Sequence, residues 1–415
     1  MKKDILFLCQ FFYPQHNSSA TLPYDTACFL KAQGFSVDVL CGTPKEYADG
    51  QNVPKQEVIN GVNVKRINYI KLDRKRKISR LVNYFSLTLS MLFQVFSLRK
   101  YQAVFVYSNP PILPIVALLG KMLFKTKIIF VSYDVYPEVA YASNSLTPTS
   151  IISSVMQRLN KTFCKHVDHV ITLTDEMKTY LLNNRPFLTA EKITTIANWA
   201  HEKKTEPTAQ AYERFSYKEG QFVCSYFGNL GICQDVETFL QAAIRLKDDA
   251  RIQFLIIGHG NKVPYVVETI QKEHLQNVTY HDFLVGEAFE QAVAISSCFV
   301  VSLENGLKGL CAPSKYYSYL QGGKPIIAIV QKDSYLYEEI KQENIGFAVE
   351  LFKGEDLSQK LTTLQENPSL LKTMGNNAST LYENHYAMAI AAKKYKAVVT
   401  GILDKTKRSE KGKKN

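Results

Sequence analysis

Residues 309–325 read Gly-Leu-Cys-Ala-Pro-Ser-Lys-Tyr-Tyr-Ser-Tyr-Leu-Gln-Gly-Gly-Lys-Pro. An apolar run, 298–303, precedes them and reads as a buried strand. A turn with Gly306 and Gly309 follows, then Pro313-Ser314-Lys315 at a helix start. The aromatic segment 316–321 closes on Gly322 and Gly323, and a second apolar strand runs over 325–330. Strand, Gly-rich turn, helix start and strand together aim backbone N–H groups at an anion. An ordinary strand–helix–strand connection with normal caps has the same layout, so the stretch needs support from elsewhere.

That support comes from the same pattern along the whole chain. The N-terminus reads strand 5–11, loop 12–19, helix 20–33, Gly34 and strand 37–40. The first strand is continuously apolar, as in a parallel sheet covered on both faces. The loop Tyr13-Pro-Gln-His-Asn-Ser-Ser19 lies where open α/β sheets place ligands, which makes His16, Ser18 and Ser19 candidates. Ser18 or Ser19 serves equally as a plain helix cap. No Gly-x-Gly-x-x-Gly occurs there, which disfavours a nicotinamide dinucleotide. Strands follow at 103–107, 127–131 and 167–173, with helices at 112–124 and about 150–164. The alternation predicts an α/β doubly wound sheet. A polar stretch, 201–220, marks a linker, after which the pattern restarts. The expected division is 1–200, linker 201–220, second domain 221–385, a helix 386–403 and a disordered basic tail 404–415.

The chain has 415 residues, long enough for two or three domains. Its net charge of +12 is uneven: residues 1–200 hold 24 Lys/Arg against 13 Asp/Glu, a net of +11. The first half therefore suits something anionic. No zinc-finger, RNA-binding aromatic or basic helix-turn-helix pattern is present, so a membrane surface is preferred to nucleic acid. The eight cysteines lack Cys-x-x-Cys spacing and read as reduced thiols. His166 and His169 are joined by no further ligand type, so no metal site is expected. No secretory signal is read at the N-terminus.

The segment 71–80 carries Arg74, Lys75, Arg76, Lys77 and Arg80, and 81–98 follows with no charge. Eighteen uncharged residues approach a bilayer span, yet Asn83, Ser86, Ser90, Gln94 and Ser97 recur on one helical face. The pattern predicts an amphipathic helix, partly core and partly membrane-facing, with the basic cluster reaching anionic headgroups.

In the second half, the turns 228–231, 258–260 and 313–315 each follow a predicted strand. All three therefore lie at one edge of a parallel sheet, a pocket for an elongated anion such as a nucleoside diphosphate. The chain also resembles the family-4 glycosyltransferases of GT-B fold, in their bacterial cell-surface polysaccharide branch (capsule, exopolysaccharide, O-antigen). The matching pieces are Tyr13-Pro14, Asn109-Pro-Pro111, Asp134-x-Tyr-Pro-Glu138, Asn198-Trp199, Tyr226-Phe-Gly-Asn-Leu-Gly231 with Gln234 and Glu237, Gly258-x-Gly260, Pro313-Ser-Lys315 and Tyr319-Leu-Gln-Gly-Gly-Lys-Pro325. The order and spacing hold over most of the chain.

The resemblance implies two Rossmann-like domains facing across a cleft, with a last helix returning to the N-terminal domain. It implies retaining, metal-independent transfer, with no cofactor, of a sugar from a nucleotide donor, UDP-linked, to a polyprenyl-diphosphate-linked sugar. The protein would work in the cytoplasm, on the inner face of the membrane. Donor-binding residues would be Gly228, Asn229, Gly231, Gln234, Gly258, His259, Ser314, Lys315 and Ser318. The chain departs from the family at Leu310 and Ser318, where paired glutamates often stand, and at Asn229 and Gln234, where Arg and Lys often stand. Backbone N–H groups and Lys315 must then carry the diphosphate, with Lys308 and Lys324 in reserve. Asp134 and Glu138 are the candidate catalytic carboxylates; either could take a proton, orient a sugar or anchor the turn. Two other readings fit the same frame: a sugar-nucleotide epimerase or hydrolase, and a catalytically silent scaffold of an assembly complex.

Overall fold

The computed structural model describes residues 2–44, 53–72, 77–201 and 206–411. The chain forms two compact units. The first comprises Met1–Asn198, Gly309–Ala312 and Met388–Asn415; the second comprises Trp199–Lys308 and Pro313–Ala387.

The first unit holds eight strands: β1 Lys3–Cys9, β2 Val37–Gly42, β3 Gln56–Ile59, β4 Val62–Ile67, β5 Tyr101–Tyr107, β6 Lys127–Ser132, β7 His169–Thr172 and β8 Ile193–Thr195. Their order is β3-β4-β2-β1-β5-β6-β7-β8. All pairings are parallel except β3 with β4. Residues 5–9 of β1 are buried, because helices cover both faces of a parallel sheet. β4 alternates buried and exposed positions, as suits a strand near an open edge. Phe7 stacks on Phe105 of the neighbouring strand with ring centroids 4.7 Å apart. The last helix, Met388–Lys411, packs on the helix Ser18–Ala32 and on β5, with Tyr395 against Phe105.

The second unit holds six parallel strands: β9 Phe222–Phe227, β10 Ile252–Ile257, β11 Val278–His281, β12 Cys298–Ser302, β13 Ile326–Ile329 and β14 Gly346–Val349. Their order is β11-β10-β9-β12-β13-β14. In each sheet the chain winds outward on one side and then restarts on the other. The switch points are β1/β5 and β9/β12, where doubly wound sheets open a crevice beyond the strand ends.

Residues 206–220, expected to be a linker, pack instead on the second unit. The helix Ala209–Arg214 buries Ala211, and Phe215 and Tyr217 follow it into the core. The Tyr217 hydroxyl donates to Phe254 O at 3.0 Å. The stretch is polar on average, but Ala211, Phe215 and Tyr217 are buried. Arg74, Lys75, Arg76 and the end of the basic tail lie outside the described residues. The final helix runs to Lys411, beyond the 386–403 expected.

Candidate functional site

In the second unit, the switch point brings together the turns after β9, β10 and β12. Gly258 lies so close to the first turn that a Cβ there would stand 1.8 Å from Gly228 O. Gly260, with φ of +150°, allows the same approach to Leu230 O, where a Cβ would sit at 2.4 Å. Leu230 N donates to His259 O at 2.8 Å and Lys262 N to Leu230 O at 2.8 Å. The two turns are thus tied backbone to backbone.

Lys315 reaches into this cradle from the start of the helix Lys315–Gly322. Its stem crosses Gly228, where a Cβ would meet Lys315 Cε at 2.6 Å. Its Nζ donates to the Tyr226 hydroxyl at 3.1 Å and lies 4.1 Å from the centroid of that ring. No described carboxylate acts on it, and burial pulls the ammonium down to about 7. One turn along, Tyr319 accepts from Phe227 N at 3.0 Å and stacks on Phe299, which fixes the helix against β9 and β12.

The other donor candidates divide into groups that hold the turn and groups that line it. Gln234 Oε1 accepts from Gly231 N at 3.1 Å and from Asn229 Nδ2 at 3.3 Å, so Asn229 and Gln234 brace the loop. Lys262 completes the brace: its Nζ donates to Gln234 O at 2.6 Å, Glu237 at 2.8 Å and Glu304 at 2.8 Å. The structure adds Lys262 and Glu304 to the residues singled out in the sequence, and places Tyr226 against Lys315. His259 meets the edge of Phe283, and burial lowers its pKa. Ser314 caps its helix without a side-chain bond, and Ser318 lies half-buried on that helix. Lys308 is paired with Asp333 at 2.5 Å, whereas burial lowers the pKa of Lys324.

In the first unit, Asp134 follows β6, beyond the strand ends. Tyr133 N and Asp134 N both donate to Ser108 Oγ, at 3.0 and 3.1 Å. Cys311 bridges to Asp134, and Val135 N donates to Leu310 O at 2.7 Å. Gly309, with φ of +70°, donates its N–H to Glu176 at 3.0 Å. The opening stretch is therefore divided: 309–312 packs with the first unit, and 313–325 with the second.

Burial pushes the Asp134 carboxyl up to about 6, with no described cation opposing it. It lines a cavity of about 60 Å³ with apolar walls that include Ile112, Leu118, Phe130, Leu159 and Phe163. Glu138 differs. Arg185 Nη2 lies 2.8 Å from both its carboxylate oxygens and also donates to Tyr136 O. Of the two carboxylates, Glu138 is ion-paired, whereas Asp134 has no described cation beside it. His16 is exposed in the loop after β1, Ser18 is exposed and Ser19 half-buried at the start of the helix Ser18–Ala32, and the helix cap is Asn17, not a serine.

The helix Lys77–Leu92 has one face packed inward and one exposed. Its polar stripe faces inward: Asn83 is buried and pairs with both N and O of Leu72, at 2.8 and 2.9 Å. Ser86 accepts from Ile70 N, and beyond the helix Gln94 accepts from Lys65. The apolar stripe faces outward, with Ile78, Leu81, Phe85 and Leu89 exposed, followed by Phe93 and Phe96. Met122 and Leu123 are exposed on the adjoining helix Pro114–Phe124. Arg80 is half-buried near the helix start. Among the described residues, no helix is long and apolar enough to cross a membrane, and no group of three or more metal-ligating side chains occurs.

Two family models match. "Glycosyl transferase 4-like domain" covers residues 22–199, and "Glycosyl transferases group 1" covers 210–380. The chain is 25% identical over 316 residues to "Probable glycosyltransferase WbjE" of Pseudomonas aeruginosa, covering 74% of this chain and 77% of that protein. It is 22% identical over 315 residues to WcaI of Escherichia coli (strain K12), named for colanic acid biosynthesis, covering 72% and 76%. Among solved structures, sucrose-phosphate synthase from Thermosynechococcus elongatus superposes with a TM-score of 0.75 at 13% identity, over 97% of this chain and all of that one. HepE of Anabaena, solved with UDP-glucose, gives 0.70 at 14% identity, over 96% and 99%. At these identities the superpositions establish the fold.

Proposed function

Because this chain belongs to the family-4 glycosyltransferases of GT-B fold, we propose that it transfers a sugar, with retention, from a UDP-linked donor to a polyprenyl-diphosphate-linked saccharide in surface-polysaccharide synthesis. The observation that carries the donor half is Lys315: a half-buried ammonium with no described carboxylate beside it, in a cradle of glycine turns. A diphosphate supplies the missing charge, and the turns supply N–H groups. HepE, of the same fold, was solved with UDP and with UDP-glucose, which supports the choice of nucleotide. The name given to WcaI supports the polysaccharide.

In the reaction, the bond between the donor's anomeric carbon and the β-phosphate oxygen breaks. The acceptor oxygen bonds to that carbon on the same face. Lys315 balances charge gathering on the leaving diphosphate, so transfer needs no metal or other cofactor. The acceptor proton passes to Asp134, whose half-buried carboxyl, pushed up to about 6, can accept it and give it up. Glu138 holds the turn through Arg185.

The lipid-linked acceptor and the outward apolar stripe call for the same surface. The stripe 78–96 enters an anionic bilayer on its cytoplasmic face, and the basic residues 74–80 meet the headgroups.

The test is release of UDP from a panel of UDP-sugars, with and without a bacterial membrane lipid extract, and with EDTA. Turnover that requires the extract and survives EDTA is expected. Turnover without lipid would assign an epimerase or hydrolase, and none with any pair would assign a scaffold.

A further inference from the structure

A second exposed apolar feature lies on the first unit, away in sequence from 78–96. The helix Ile151–His166 is fixed at its start: Ser150 Oγ accepts from Ser153 N at 3.2 Å, and Ser153 Oγ donates to Thr147 O at 2.6 Å. Its inner face is fully employed, with Phe163 edge-on to Phe130 and Asn160 donating to Tyr136 O. Its outer face is not. Ile151 is 84% exposed, Ile152 50% and Val155 49%. Three large apolar side chains within the first turn and a half exceed the single scattered hydrophobes of an ordinary surface.

The outer stripe changes character along the axis. Ile151, Val155, Arg158, Thr162 and Lys165 follow at spacings of 4, 3, 4 and 3, which puts them on one face. Lys161 is exposed beside them. The helix carries no acidic residue, and Arg158 and Lys161 have no described ion pair. Apolar residues therefore end about 4.5 Å before the first cation begins, at 1.5 Å of rise per residue. That is the order met on leaving a bilayer: hydrocarbon boundary first, phosphates next. A protein partner would place charge around an apolar centre instead. Three side chains also fall well short of the roughly 800 Å² per side of a stable protein interface.

We infer that the first turn of the helix Ile151–His166 is a second membrane-contact element, which inserts Ile151, Ile152 and Val155 into an anionic bilayer while Arg158 and Lys161 bind lipid phosphates. This rests on the membrane reading above and adds a contact independent of 78–96. Two separated contacts fix how the first unit stands on the surface, where one leaves it free to swivel.

The test uses the full chain with vesicles of phosphatidylglycerol and brominated phosphatidylcholine. The native Trp199 is buried, so the Ile151→Trp variant adds one reporter. Blue shift and quenching of that indole on vesicle addition are expected. The Arg158→Gln and Lys161→Gln pair should weaken sedimentation with vesicles by about fivefold for each charge removed. An unquenched indole on a chain that still sediments would overturn this inference and spare the first. Failure of the wild type to sediment would overturn both. A change in oligomeric state by light scattering in Ile151→Ser/Val155→Ser, with vesicle binding intact, would assign the patch to a second copy of the chain and overturn the inference.

Discussion

Each unit holds two similar charges, one paired and one alone. In the second, Lys262 is gripped by Glu237 and Glu304, which raise its pKa, whereas Lys315, two strands later in the chain, is pulled down to about 7 by burial. In the first, Glu138 is held by Arg185, whereas Asp134, four residues earlier, is pushed up to about 6. The paired members hold loops. The unpaired members carry a cost of burial that a ligand or a proton can relieve. The contrast separates framework from chemistry more sharply than residue type does.

The largest effect should come from Asp134→Asn, which cannot accept a proton. The turnover number should fall roughly 10² to 10⁴-fold while UDP affinity is unchanged. An equal fall for Glu138→Gln in steady-state kinetics would erase the distinction between the two carboxylates. Next, Lys262→Met leaves Glu237 and Glu304 without their cation and should cost about 3–5 kcal/mol of stability in denaturant titration. A milder change would mean that the loop is held by its backbone bonds alone. Lys315→Ala should do the reverse: near-native stability, but UDP affinity weakened roughly 10 to 100-fold in calorimetry, the worth of a charge-assisted hydrogen bond. The smallest effect is in protons. A lysine that titrates near 7 when free is drawn back to the charged form by a bound diphosphate. UDP binding above pH 7 should therefore take up about one proton, visible in buffers of different ionisation enthalpy, and Lys315→Ala should take up none. Below pH 6 the rate should decline as Asp134 protonates, and Asp134→Asn should show no such limb.

Much of the fold could be read because parallel strands buried on both faces leave unbroken apolar runs, as over 5–9 and 298–302. Pro313-Ser314-Lys315 was legible for a related reason: it is local, one helix start after one strand. Lys262 and Glu304 were not. Their pairing spans 42 positions, and no local pattern announces which distant lysine meets which glutamate. The helix Lys77–Leu92 shows a different limit. Periodicity reveals two stripes but not which one faces in, and here local partners at Ile70 and Leu72 drew the polar stripe inward. In 206–220, average polarity concealed three well-placed apolar residues.

The four residues Gly309–Ala312 have a practical consequence for anyone recombining this protein with its relatives. Each unit is assembled from separate lengths of chain, and the first needs three of them. A single splice near Asn198 would leave Asp134 facing a Cys311 strand inherited from another parent. A hybrid that exchanges the second unit while keeping the first intact should carry over 309–312 and the final helix from the first unit's parent, making three grafts where the one-dimensional view suggests one.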